Sequence, residues 1–176
     1  MADSHQAFLD DEAFKTELVR VLPHLRAFAR GLCGRSDYAD DLVQETAIKA
    51  WNARDRFEVG TNLRAWTFTI LRNHYLSELR RNRRLTDMDD EVHERLLVME
   101  ADQEDTLHLA DMQKALNRLP SERREAILLV GASGFTYEEA AAICGCAVGT
   151  VKSRVARARA DLVRLLDVDA PVDLEL

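Results

Sequence analysis

Apolar side chains recur at steps of three and four residues along most of this chain, the spacing of helices with one buried face. In the first half the pattern predicts three helices, at about residues 14–31, 36–51 and 63–84. Pro23 falls inside the first apolar stripe and predicts a kink or a break, because proline cannot donate a backbone hydrogen bond. Ser36 stands where a cap of the second helix is expected. Together these helices predict a first domain at residues 12–84.

The pattern stops at residues 85–106, which hold one acid after another with few apolar positions and predict a flexible acidic linker. Periodicity returns at Leu107 and continues to about residue 167, interrupted by Pro120. Four helices fit this stretch, and we expect them to form a second domain at residues 107–167. The sequence shows no clean two-residue alternation typical of strands. The expected fold class is therefore all-α, with two small helical domains joined by the linker.

The last two predicted helices form a helix-turn-helix. Residues 136–139 (Thr-Tyr-Glu-Glu) are a capping box, and Gly145 is suited to end the helix that they begin. The chain restarts within four residues, and the next helix has a face of small residues flanked by Lys152 and Arg154. Such a face can enter the DNA major groove while its cations meet phosphates. For the charges alone, an ordinary amphipathic helix with a solvated basic face explains the pattern equally well.

The net charge of −7 conceals an uneven distribution along the chain. Residues 61–84 carry six arginines and one glutamate, and residues 150–164 carry five cations and one aspartate. Residues 85–111, by contrast, carry ten carboxylates and one arginine. Because local charge selects local partners, the two basic blocks point to nucleic acid even though the whole chain is acidic.

The first basic block interleaves aromatic and cationic side chains between Trp66 and Arg84. Aromatic side chains in a basic groove suit unpaired bases, because stacking requires only a π-face. Two structural explanations stay open. Trp66 can belong to the core, since it falls on the apolar stripe of Ile70, and the arginines at residues 80–84 can complement a helix C-terminus.

Candidate chemistry other than nucleic-acid binding is sparse. Cys33 stands apart from Cys144 and Cys146, and a single Cys-x-Cys pair is a poor zinc site. The histidines are scattered, and there is no glycine-rich phosphate loop. We therefore expect no enzyme activity, no metal and no other cofactor. No apolar run approaches the roughly 18 residues of a membrane span, and the N-terminus lacks the pattern of a signal peptide, so a cytoplasmic location without membrane contact is expected.

Three segments resemble the signatures of the bacterial extracytoplasmic-function (ECF) sigma factors: residues 40–46 (Asp-Asp-Leu-Val-Gln-Glu-Thr), 66–73 (Trp-Thr-Phe-Thr-Ile-Leu-Arg-Asn) and 150–154 (Thr-Val-Lys-Ser-Arg). Residues 134–150 further resemble the alphaproteobacterial general-stress, EcfG-like subgroup. The resemblance implies an initiation subunit that directs RNA polymerase to stress-response promoters. Its first domain would read the minus-10 element and promote melting, and its second would read the minus-35 element.

The resemblance also implies which residues make each contact. For the clamp helices of the largest polymerase subunit, it implies Asp41, Leu42, Gln44 and Glu45. For minus-10 DNA, including a flipped base, it implies Arg56, Phe57, Asn62, Trp66, Asn73, Arg80 and Arg81. For minus-35 DNA, it implies Tyr137, Glu138, Thr150, Lys152, Ser153, Arg154 and Arg157. The implied partners are core RNA polymerase (clamp helices and flap), promoter DNA and a NepR-like anti-sigma factor, with a monomer in the free state.

Two residues depart from the family pattern. Ala147 replaces a serine that often caps the recognition helix, which lowers helix stability by about 0.5–2 kcal/mol. Ala156 replaces a larger side chain of some relatives, which leaves open the bases that are read. The acidic linker is expected to lie against the basic faces of the free protein, and both compact and extended arrangements stay open.

Two other functions also stay open at this point. A single-site helix-turn-helix regulator would leave residues 36–84 unexplained. A sigma-like decoy that sequesters an anti-sigma factor would need a phosphoreceiver domain and no DNA-reading face, whereas this chain keeps Lys152, Arg154 and Arg157.

Overall fold

A computed structural model describes residues 10–85 and 107–168 of the chain. These residues form seven α-helices: α1 (Asp11–Cys33), α2 (Ser36–Asn52), α3 (Leu63–Leu85), α4 (Leu107–Asn117), α5 (Ser121–Ile127), α6 (Tyr137–Cys144) and α7 (Val148–Val168). A 3₁₀ turn at Arg54–Arg56 follows α2, and a π turn at Leu128–Ala132 continues α5. No strand occurs within the described ranges, and the all-α prediction is confirmed. The linker prediction falls almost entirely on residues 86–106, which lie outside them.

The boundaries of α1 and α2 differ from the sequence prediction in two details. The first helix runs through Pro23 without a break, and Pro23 occupies an exposed position of that helix. The predicted cap at Ser36 is also wrong. Arg35 occupies the N-cap position without a side-chain hydrogen bond, and Ser36 is the first helical residue. Between the helices, Gly34 ends α1 with a positive φ of 67° and donates its N–H to the Arg30 carbonyl.

The first domain packs α1, α2 and α3 around two apolar clusters. In the larger one, the rings of Phe28 and Phe68 lie with centroids 4.9 Å apart, and both side chains are buried. The smaller cluster joins Phe14 on α1 to the loop that precedes α3. Each large apolar side chain that is fully buried in this way stabilises the fold by about 1.5–3 kcal/mol.

The second domain packs α5 and α6 against α7, as the helix-turn-helix prediction requires. The capping box is present: the Thr136 hydroxyl accepts the Glu139 N–H at 3.1 Å, and the Glu139 carboxylate accepts the Thr136 N–H at 2.9 Å. Gly145 ends α6 with a φ of 64°. On α7, Val151 and Val155 are 0% and 1% exposed and belong to the core. The four predicted helices of this domain are therefore confirmed.

The two domains pack directly against each other and share one apolar core. Phe68 of α3 meets Phe135, which precedes α6, edge to face with centroids 4.9 Å apart. Gly31 in the last turn of α1 leaves room for Leu128, because a Cβ at this glycine would lie 2.7 Å from Leu128 Cδ2. The arrangement is compact, and the second domain covers part of α1 and α3.

Candidate interaction surfaces

The acidic face of α2 points into solvent. Asp41, Gln44 and Glu45 are exposed, and Ile48, which is 53% exposed, lies on the same face two turns after Asp41. An exposed isoleucine among polar groups is typical of a protein contact. Sequence reasoning missed Ile48, although its seven-residue distance from Asp41 placed it on this face.

Leu42, predicted to lie in the same contact, is 2% exposed and belongs to the core. Residue 42 is one step, or about 100°, from Asp41 on the helix, and this turns it towards α1 and α3. A buried leucine cannot touch a partner, so its assignment as a polymerase contact is corrected.

The aromatic residues predicted to meet minus-10 DNA pack against one another. Phe57 is 4% exposed, with its ring 6.1 Å from that of Phe14 and 5.5 Å from that of Trp66. Trp66 is half-buried and lies 6.2 Å from Phe14. The core explanation left open for Trp66 therefore fits this structure. The Phe57 ring likewise packs inward beneath its loop, and its assignment to minus-10 DNA stays a prediction.

The polar residues predicted for the same surface lie outside this cluster. Arg56, Asn73, Arg80 and Arg81 are exposed, and Arg81 pairs with Glu78 one turn earlier at 2.7 Å. Next to Asn73, His74 Nδ1 lies 2.6 Å from Lys49 Nζ on α2. Burial, and then the Lys49 charge, lower the pKa of His74. The α3 helix thus presents a solvent face that is polar and basic.

Asn62 has two roles in the compact arrangement. Its Oδ1 accepts the Ala65 N–H at 3.1 Å, which caps the start of α3. Its Nδ2 donates to Glu139 Oε1 of the second domain at 3.0 Å. The hydrogen bond from the Thr136 N–H, and then this bond from Asn62, lower the pKa of Glu139.

Three arginines that sequence reasoning did not assign join the two domains. Arg64 donates to the Ser133 carbonyl, and its guanidinium lies 4.7 Å from the centre of the Phe135 ring. Arg72 of α3 pairs with Glu125 of α5, with side chains 17% and 9% exposed. No signal in the sequence identifies these pairs, because their partners lie more than fifty residues away.

The third arginine, Arg124, is 5% exposed. Its guanidinium donates to three carbonyls: that of Leu32 in α1 at 2.9 Å, that of Asn117 at the end of α4 at 2.7 Å, and that of Leu119 just after α4 at 3.1 Å. Helix ends leave such carbonyls without backbone partners, so one side chain satisfies the ends of two helices from different domains. Burial lowers the pKa of Arg124.

The outward face of α7 carries most of the predicted minus-35 residues. Lys152, Ser153 and Arg157 are exposed, and Thr150 is half-buried beside them. From α6, Glu138 is exposed, and the half-buried ring of Tyr137 lies 5.7 Å from Lys152 Nζ. The second domain does not turn this face towards the first, and it stays open in the compact arrangement.

Arg154 points elsewhere. Its Nη2 pairs with Glu122 Oε2 of α5 at 2.7 Å, its Nη1 lies 3.9 Å from Cys146 Sγ, and its side chain is 20% exposed. It therefore does not join Lys152 and Arg157 on the open face, and its assignment as a minus-35 contact is corrected for this arrangement.

The cysteines lie near the junction of the domains. Cys33 and Cys144 are buried, and burial raises the pKa of each thiol to about 12. Within the described part of the chain, no group of three or more His, Cys, Asp or Glu side chains is arranged to hold a metal ion. Nor does that part contain a helix long and apolar enough to cross a bilayer.

The comparisons with known proteins agree with this geometry. Residues 18–85 match the family Sigma-70 region 2, and residues 109–162 match Sigma-70, region 4. The chain is 49% identical over 162 residues to "ECF RNA polymerase sigma factor EcfG" of Rhodopseudomonas palustris (strain TIE-1). This match covers 92% of this chain and 90% of the relative.

Two solved structures are also similar. The sigma factor RpoE in complex with the anti-sigma factor NepR from Bartonella quintana is 53% identical, with a TM-score of 0.75 over 89% of this chain and 98% of that one. CnrH in complex with the cytosolic domain of CnrY is 32% identical, with a TM-score of 0.70 over 92% of each chain.

Two helical domains of the region 2 and region 4 types, with an acidic α2 face and a helix-turn-helix, define a transcription initiation factor of the sigma-70 class. The chain belongs to the ECF RNA polymerase sigma factors and is EcfG-like. Its role is in promoter-directed transcription, and the sequence prediction of family and function is confirmed.

Proposed function

We propose that this chain directs core RNA polymerase to stress-response promoters through three separate surfaces. The α2 face of Asp41, Gln44 and Glu45, extended by Ile48, binds the clamp helices of the largest subunit. The solvent face of α3 meets the minus-10 element, and the open face of α7 enters the major groove at minus-35. The observation that carries this proposal is that all three faces are exposed on one chain.

The charges of the three faces suit these partners. On α7, Lys152 and Arg157 surround small residues, so the helix can approach base edges while its cations meet phosphates. On α3, Asn73 and Arg80 combine an amide with a cation, which suits both bases and backbone. On α2 the carboxylates would be repelled by DNA, and this favours a protein partner there.

The chain acts in the cytoplasm, where polymerase and chromosome meet, and polymerase performs the chemistry. A NepR-like anti-sigma factor binds the compact form, because the docked domains offer one continuous surface and the anti-sigma factor adds to contacts that already exist. The shared apolar core and the Arg124 bonds supply these contacts. The free protein is a monomer.

Run-off transcription with core polymerase on a stress promoter tests the proposal. Wild-type chain should give a promoter-specific transcript only when core polymerase is present, and a NepR-like protein should suppress it. A template with a scrambled minus-35 element is the matched control. Equal transcription from both templates, or no transcript with core polymerase, would contradict the proposed function.

A further inference from the structure

The Cys-x-Cys pair, a poor zinc site by its spacing, lies at the turn between α6 and α7. Cys144 is the last residue of α6, Gly145 follows with a φ of 64°, and Cys146 comes shortly before α7 begins. Because consecutive Cα atoms lie about 3.8 Å apart, residues separated by one position have Cα atoms at most about 7 Å apart. Disulfides join Cα atoms that are roughly 4.4–6.8 Å apart, so this spacing brings the two thiols close to the range of a disulfide.

Both cysteines line one cavity of about 370 Å³ at the junction of the domains. Its volume falls within the roughly 300–1,000 Å³ that is typical of small-ligand sites, so a small molecule can reach the thiols there. Cys146 is half-buried and Cys144 is 7% exposed, whereas Cys33 is 1% exposed and does not line the cavity. Of the chain's three cysteines, the two at the turn are therefore the ones that a reagent in solution can meet.

The charges around the cavity suit an anionic reagent. Three arginines and two glutamates line it, and each glutamate is paired with one of these arginines. The remaining arginine, Arg80 of α3, gives the lining a net positive charge. Arg154 Nη1 also lies 3.9 Å from Cys146 Sγ. Such a lining attracts a small molecule that carries carboxylates.

We propose that Cys144 and Cys146 form a reversible disulfide by exchange with a small, carboxylate-bearing disulfide that enters this cavity. Where thiols are normally kept reduced, disulfides of this kind are usually transient and sense the redox state. The modification lies apart from the three faces that carry the proposed function. It gives a role to a pair of cysteines that neither DNA binding nor metal binding uses.

The exchange proceeds in two steps. The Cys146 thiol loses its proton to water, and its sulfur attacks one sulfur of the small disulfide, which forms a mixed disulfide and releases one thiolate. The Cys144 thiol then loses its proton, and its sulfur attacks Cys146 Sγ, which forms the bond between the two cysteines and releases the second thiolate. The two released thiolates take up the two protons. The pair of cysteines is thereby oxidised by two electrons, and the small disulfide is reduced by two.

Burial sets the order of the two steps. Burial raises the pKa of the Cys144 thiol to about 12, so this residue rarely carries the thiolate that attacks a disulfide. Cys146, which is more exposed, is therefore the attacking residue and Cys144 the resolving one. Because Cys144 belongs to the apolar core that the domains share, the second step should be faster when the domains separate.

Oxidation should change the direction in which α7 leaves the turn. In the reduced form the Cys146 N–H donates to the Ala141 carbonyl at 3.1 Å, and the Gly145 N–H donates to that of Ala142 at 3.3 Å. These bonds end α6 and fix the turn. A bond between the sulfurs across Gly145 draws Cys146 Sγ away from Arg154 of α7 and distorts the turn. The open face of α7 should then fit minus-35 DNA less well, a consequence that rests on the proposed function of this face.

Mass spectrometry tests the modification itself. Full-length chain is incubated in glutathione buffers of increasing oxidised fraction, quenched with acid, alkylated and digested. In wild type, the peptide that contains both cysteines should lose the mass of two hydrogen atoms and escape alkylation, and dithiothreitol should reverse this change. Cys144→Ala should stop at a mixed disulfide between Cys146 and glutathione, because the resolving thiol is missing.

Cys33→Ala is the matched control, since it removes a buried cysteine outside the cavity and should react as wild type does. Two outcomes in wild type would overturn the proposal. In one, both thiols of the pair stay unmodified at every oxidised fraction. In the other, a mixed disulfide forms on Cys146 and persists without resolving.

A second measurement addresses the effect on DNA. Reduced and oxidised chain, freed of glutathione and combined with core polymerase, are compared on promoter fragments with an intact or a scrambled minus-35 element. Oxidation should weaken binding to the intact element roughly tenfold, the size of one lost base contact, and leave binding to the scrambled element unchanged. The double variant Cys144→Ala with Cys146→Ala should lose this sensitivity.

Equal affinity of reduced and oxidised wild type for the intact element would overturn the link between the disulfide and α7. Failure of the proposed function gives a different result. Reduced wild type would then not distinguish the intact element from the scrambled one, although the disulfide would still form in the glutathione buffers.

Discussion

Arg72 of the first domain and Glu125 of the second form an ion pair that joins α3 to α5 at the junction of the domains, largely shielded from solvent. Shielding strengthens the attraction but also makes either charge costly when it is left alone. The pair therefore holds the compact arrangement only as long as both partners are present. A substitution at this pair should therefore weaken the contact between the domains and leave the exposed faces of α2, α3 and α7 unchanged.

Glu125→Gln should favour separation of the domains. The variant leaves the Arg72 charge without its carboxylate, which we expect to weaken the interface by about 1–3 kcal/mol. Energy transfer between labels on α2 and α7 would report a longer mean distance. Glu78→Gln, which breaks the exposed pair with Arg81 inside one domain, should leave that distance unchanged. Equal distances in wild type and Glu125→Gln would show that the pair does not hold the domains.

Charge reversal on the α2 face should abolish binding to core polymerase. Asp41→Lys with Glu45→Lys replaces two exposed carboxylates and leaves the buried face of the helix intact, so helix content should not change. Ile48→Ala should weaken binding by about 1 kcal/mol through lost apolar contact. Pull-down or interferometry with core polymerase measures both effects. Wild-type affinity in the double variant would remove the α2 assignment.

Substitutions on α7 should show which of its cations contact minus-35 DNA. Lys152→Ala and Arg157→Ala should each weaken minus-35 binding by about 1–3 kcal/mol if they read bases. Arg154→Ala should have a smaller effect, because its guanidinium is bound to Glu122. Affinity over a range of salt concentrations distinguishes the roles, since loss of a phosphate contact lowers the salt slope by about one. An equal loss in all three variants would contradict the assignment of Arg154.

His74 should make stability depend on pH. Its pKa is lowered from 6.5 in the folded protein, so the unfolded chain binds a proton at a higher pH than the folded chain does. The free energy of unfolding should therefore fall as the pH drops from about 7 through 6.5. Denaturant unfolding of wild type and His74→Gln at several pH values isolates this contribution, which the variant should lack. Parallel curves for the two proteins would rule it out.

Local signals explain which parts of the fold could be predicted from the sequence. The capping box at Thr136 and the left-handed Gly145 lie within ten residues of each other, so the helix-turn-helix was readable without tertiary information. Of the kink or break predicted at Pro23, the break is absent, because a proline on an exposed face need not end a helix. The sequence alone cannot show to which side a proline is turned.

The orientation of surface side chains was harder to predict, because it too depends on contacts with distant parts of the chain. Helical spacing predicted a face of small residues flanked by Lys152 and Arg154. Lys152 is exposed as expected, but Arg154 pairs with Glu122, thirty-two residues earlier in the chain. Periodicity also could not tell whether the Phe57 ring packs inward or projects from its loop. Contacts across the domain junction, such as that of Arg124 with Leu32, depend on how the domains dock, which no local pattern encodes.

The compact arrangement depends on the absence of a side chain at Gly31. A methyl group at this position would lie 2.7 Å from Cδ2 of the buried Leu128, so the Leu128 side chain of the other domain would have to shift. Alanine would meanwhile strengthen α1 as a helix by roughly 0.5–1 kcal/mol, leaving the first domain sound. One methyl group, outside the faces proposed to bind polymerase and DNA, would thus shift the equilibrium towards separated domains. The packing of this glycine and the binding of the proposed anti-sigma factor to the compact form would thus act on the same equilibrium.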